Sequence, residues 1–181
     1  STSICTCVDT EDVTVISLAY QAERAVNMTV GFQPKNVQFD AAGNRAYVVT
    51  QDGVSVIDMG YATRHQPSIV PPIPVADPNA PPDDIEVDVV ATGEYAAVRQ
   101  AGVASLRIVS VGATTPGSYT TVPLASPATD IDLAPDGARV YAAMRDAKKI
   151  SIIPVPTGAV TTIDVSDGVV GSLVVSRDGT R

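Results

Sequence analysis

The most specific polar pattern in this chain is a recurring pair. Asp84 is followed by Arg99 and Asp130 by Arg145, each fifteen residues on, and the same offset in an earlier stretch joins Asn36 to Gln51. A carboxylate and a guanidinium brought together in this way have two uses. They neutralise one another as a structural ion pair, or they converge on a small polar ligand or ion. Acids crowd the same places, with Asp83, Asp84, Glu86 and Asp88 in one stretch and Asp130 and Asp132 in the next. Calcium takes roughly six to eight oxygen ligands, so calcium or magnesium is the only cofactor chemistry these acids suit. Neither an EF-hand loop nor a Gly-Asp ladder accompanies them, and solubility and edge protection are the leading account of these acids, ahead of a cation.

Other reactive side chains are few. Cys5 and Cys7 form a C-x-C pair, short of the four ligands of a structural zinc site. On a strand the two would share a face, as small half-buried side chains, as a disulfide, or as a redox or metal pair. The only histidine, His65, stands beside a proline-rich stretch, Pro67 to Pro82, with no nucleophile near it in sequence. That stretch reads as an extended, polyproline-like connection and the most distinctive surface loop. Asn27-Met28-Thr29 is a formal N-glycosylation acceptor. No nucleophile elbow, P-loop, zincin or dinucleotide fingerprint occurs, so no catalytic residue is assigned.

The elements that must position these residues repeat. Three twelve-residue segments align without a gap: Asn36 to Tyr47, Asp84 to Tyr95 and Asp130 to Tyr141. A fourth copy begins at Ser172. Each opens with apolar residues at alternate positions, as in Val37 and Phe39 or Ile131 and Leu133, which is the period of a strand. A Gly-bearing turn follows, AAGN at 41 to 44 and PDGA at 135 to 138. A second strand runs from each Tyr, a third from Gly53, Ala104 or Lys149, and a weaker fourth near Met28, Ser68, Thr120 and Val160. Four short antiparallel strands in each repeat of about 45 residues describe a β-propeller blade. The expected fold is therefore all-β, a propeller or propeller fragment over 1–181, with repeat units of about 1–46, 47–94, 95–140 and 141–181. Leu18 to Val26 alone has a helical look, and its place in the repeat assigns it to a loop and strand.

PDGARVYAAMRDAKKISIIPVPTG, from Pro135, and AAGNRAYVVTQDGVSVIDM, from Ala41, resemble the repeat of YVTN and NHL-like β-propellers. The middle unit departs from it, with ATGE in place of PDG and extra residues at Ala76 to Asp83. The resemblance implies a fold whose members include lactonases, surface antigens and protein-binding scaffolds. In such a ring Asn36, Asp84, Arg99, Asp130 and Arg145 would gather at one channel mouth as a ligand site. A lactonase would need converging acids, Asn or His there.

Bulk properties narrow the partners. The 181 residues are 45% apolar but only 4% aromatic, with no Trp, so aliphatic side chains must fill the core. The net charge of −8 disfavours nucleic acid, which needs clustered cations. No apolar stretch approaches the ~18 residues of a membrane span. The expected partner is a protein or a small polar ligand, and the expected setting is bacterial and extracellular, periplasmic or at the cell surface. Ile4 to Val8 aligns with a second strand and Ser172 to Ser176 with a first. That phase raises three arrangements: a closed four-bladed ring, a half-propeller, or part of a seven- or eight-bladed ring. In the last two a second chain or a missing segment closes the ring.

Overall fold

The computed structural model describes residues 2–6, 12–17, 25–40, 42–51, 53–59, 68–75, 85–89, 94–112, 116–166, 168, 170–176 and 178. The chain divides into two compact units, Ser1–Pro74 and Val75–Arg181. Every regular element among the described residues is a strand.

The first unit holds two antiparallel sheets. One has the order β1 (Thr2–Thr6), β2 (Asp12–Ser17) and β3 (Ala25–Thr29). The other has four strands in chain order: β4 (Asn36–Phe39), β5 (Arg45–Thr50), β6 (Gly53–Asp58) and β7 (Ser68–Ile73). A core of Met28, Val30, Ala46, Val48, Ile57 and Met59 joins them, with Val37 packed on its edge. Tyr47 is fully buried. Cys5 lies on β1 opposite Thr14, while Cys7, His65 and half of the proline-rich stretch fall outside the described residues. Its start is a strand rather than a polyproline connection: Pro71 and Pro72 lie inside β7, where the register slips between Val54 and Val56. A bulge on an outer strand tolerates proline because the missing N–H is not needed by the ladder.

The second unit repeats the arrangement twice. One blade is β8 (Ile85–Val89), β9 (Tyr95–Gln100), β10 (Ser105–Ser110) and β11 (Tyr119–Pro123). The other is β12 (Asp130–Leu133), β13 (Arg139–Met144), β14 (Lys149–Pro154) and β15 (Thr161–Asp164). Leu106 and Ile108 of the first blade and Ile131, Val140, Ala142 and Ile153 of the second share one core. The sheets thus run from first to fourth strand, and the Tyr-to-Tyr repeat cuts each blade inside its first hairpin. Gly43 and Gly137 take the positive φ values of +69° and +67° that their turns demand.

Candidate functional site

The first hairpin of each blade sets the geometry. Its innermost pair is Phe39 with Ala46, Val89 with Ala96, and Leu133 with Val140, always seven residues apart. Counted from that pair, three residues back along the first strand stand Asn36, Glu86 and Asp130. Across the ladder from them lie Val49, Arg99 and Ala143. The middle blade is therefore displaced by two residues from the ungapped alignment on Tyr. Glu86, not Asp84, occupies the place that Asp130 holds in the next blade.

This corrects the expected pairs. Arg99 faces Glu86 and bonds it, Nε to Oε2, at 2.5 Å, with the two side chains 13% and 29% exposed. Asp84 lies outside the described residues. Asp130 faces Ala143, and Arg145 begins the exposed turn beyond β13, its Nη2 beside Gly171. Asn36 is exposed opposite Val49, while Gln51 donates its backbone N–H to Phe32 O at 2.8 Å. Each expected partner sits two residues from the direct pairing because the two strands of every first hairpin meet at residues seven apart, which fixes the register.

The carboxylates have a shared second task. Glu86 Oε2 accepts the backbone N–H of Ile131 at 3.3 Å, from the first strand of the following blade. Asp130 Oδ2 accepts the N–H of Leu173 at 2.6 Å, and Asp132 Oδ2 that of Val175 at 2.6 Å. Leu173 follows Ser172 as Ile131 follows Asp130, so two of these bonds occupy the same place in successive repeats, although Ser172 to Ser176, expected as a first strand, is not a strand in the structure. A backbone N–H that no ladder partner takes up needs an acceptor. The acid of the preceding blade supplies it. Leu133 N also donates to Asp132 Oδ1, at 2.8 Å.

Glu86 is the electrostatic centre of the cluster. Burial pushes its carboxyl above the ordinary range, while the hydrogen bond and charge of Arg99 pull it back. The charge of Asp130 and a hydrogen bond between the two carboxyl groups push it up again. The arrangement sets a carboxyl of raised proton affinity beside a fixed cation. Among the described residues no group of three or more His, Cys, Asp or Glu is placed to hold a metal ion. Asp83 and Asp84, which would enlarge the acid cluster, lie outside them.

The sequence named Glu86 and Asp132 only as members of an acidic stretch. The overlooked signal was the turn glycine: Gly43, Gly93 and Gly137 each lie third in a four-residue turn segment, and aligning on them brings Glu86 onto Asp130.

No protein-family model matches the chain, and no curated protein matches it in sequence. Solved structures do. One is a functionally unknown protein from Desulfotomaculum acetoxidans DSM 771, with 16% identity and a TM-score of 0.63. The match covers 98% of this chain and 56% of that one. Another is described as a putative 6-phosphogluconolactonase from Bacteroides uniformis ATCC 8492, with 16% identity and a TM-score of 0.59. That match covers 90% of this chain and 52% of the other. The chain thus spans about half the length of the structures it resembles. Likeness at this identity speaks for the fold: the chain is all-β, with three four-stranded antiparallel sheets of propeller-blade type beside the three-stranded one.

Proposed function

We propose that this chain is a non-catalytic binding or scaffold module of the YVTN/NHL-like propeller kind, belonging to an exported or surface protein of bacteria. Its partner is a protein or a small polar ligand, and a second chain or further residues complete its ring. The observation that carries this reading is how the acids are used. Glu86 accepts a backbone N–H of β12, and Asp130 and Asp132 accept those of Leu173 and Val175, so they tie successive repeats together rather than stand ready as reactive groups. No helix among the described residues is long and apolar enough to cross a membrane.

A second reading, a lactonase-like hydrolase with a polar or metal centre at the channel mouth, draws on two observations. One is the likeness to the Bacteroides uniformis protein. The other is Glu86, a carboxyl of raised proton affinity beside Arg99, which is the make-up of a general acid. Hydrolysis of glucono-1,5-lactone, followed by acid release with and without calcium or magnesium, separates the two. The binding reading expects no rate above spontaneous hydrolysis. Acceleration that Glu86→Gln abolishes would establish the hydrolase. Fractionation of the native cells tests the setting: a cytoplasmic protein overturns it.

A further inference from the structure

An open recess lies at the other end of the blade formed by β8 to β11. Its volume is about 310 Å³, at the lower end of the roughly 300–1,000 Å³ of small-molecule pockets. Its floor is Ile108, and the ring of the half-buried Tyr95 lines it at the start of β9. Pro156 and Thr157, just after β14, close it from the neighbouring blade. Tyr95 and the Glu86-bonded Arg99 stand four residues apart on β9, about 13 Å at the usual strand rise. The recess is thus separate from the carboxylate cluster.

Its chemistry is uniform. Ser110, Ser118, Thr120 and Thr157 bring aliphatic hydroxyls, and Tyr95 a phenolic one. Tyr119 also lines the recess, with the Arg107 guanidinium against its ring at 4.6 Å. No lining residue is charged at neutral pH. A charged ligand entering here would lose water without gaining a counter-charge. A hydroxyl both donates and accepts, so this lining matches a ligand whose own groups do both. The aromatic and aliphatic walls, Tyr95, Ile108 and Pro156, match a ligand with a C–H face, whose slight positive charge suits the face of an aromatic ring.

We infer that the recess between Tyr95 and Thr157 binds a neutral, polyhydroxylated small molecule, of mono- or disaccharide size. The site is independent of the binding-module reading and of the channel-mouth acids.

Calorimetric titration of the intact protein with maltose, cellobiose and lactose tests it, with glucuronate and glucose 6-phosphate as charged counterparts. At least one neutral sugar should bind with a Kd on the order of millimolar, and the charged sugars about tenfold more weakly. Thr120→Trp, at an exposed rim position that tolerates bulk, should obstruct the recess and weaken binding about tenfold. Tyr95→Leu should do the same by removing the ring, about tenfold. Asp146→Asn, in the exposed turn between β13 and β14, should leave the Kd within about twofold. The inference is overturned if none of the three neutral sugars binds saturably. It is overturned equally if both recess variants bind as the parent does, or if a proline-rich peptide binds there and the sugars do not.

Discussion

The two blades of the second unit solve one problem with different side chains. At the same place on the first strand, β8 carries Glu86 and β12 carries Asp130, and each accepts a backbone N–H from the following repeat. Across the ladder, however, Glu86 meets Arg99 and Asp130 meets Ala143. The longer acid is shared among a guanidinium, a backbone amide and a second carboxyl, while the shorter one has no cation opposite it. The backbone thus prescribes an acceptor at this position, and what stands across the ladder decides whether that acceptor also has a cation partner.

The comparison can be broken hardest at what the blades have in common. Leu106 of one and Ile153 of the other are fully buried in the same core. Leu106→Ala and Ile153→Ala should each cost about 2–5 kcal/mol in urea unfolding. Because both side chains belong to one cluster, the double variant should depart from the sum of the singles. Strict additivity would show that the blades pack independently.

A smaller effect sharpens the difference. Arg99→Ala removes the cation found only in the first of these blades and should lower stability by about 1–3 kcal/mol. It should also raise the Glu86 pKa further, a shift visible in carboxyl NMR titration. Asp130→Ala should cost a similar or smaller amount, by baring the Leu173 amide, whose hydrogen exchange should quicken. Equal exchange in the parent and the variant would remove Asp130 from that role.

The subtlest test is pH. A carboxyl whose pKa is raised on folding favours the native state while protonated. That contribution is complete below the unfolded-state value of 4.5 and fades as pH rises through the higher folded value. The stability of the parent relative to Glu86→Gln should therefore be greater at acid pH and decline toward neutrality. A flat or opposite difference would mean that Arg99 outweighs burial.

Much of this architecture was legible in the chain. Alternation at Val37 and Phe39, at Ile131 and Leu133, and the apolar run from Lys149 mark strands that the structure contains. Tyr spacing exposed the repeat. The site was less legible, for two physical reasons. A turn that moves by two residues keeps the strand period intact, so the ungapped alignment looked sound while pairing Arg99 with the wrong acid. The acceptor role of Asp130 and Asp132 was hidden altogether: their donors are backbone amides 43 residues away, and an amide leaves no signature in residue type. The recess at Tyr95 depends on Pro156 and Thr157 of the following blade, and only the packed structure brings them together.

The slipped register in β7 bears on how these molecules behave in a crowd. An outer strand with a free ladder edge invites a strand from another molecule, and growth of that kind leads to fibres. Pro71 and Pro72 deprive the edge of two donors at the point where the bulge already breaks its regular spacing. A foreign strand would find neither continuous amides nor a flat surface to extend. Tandem prolines here act as a barrier to self-association, and replacing both with β-branched residues would open the blade to it.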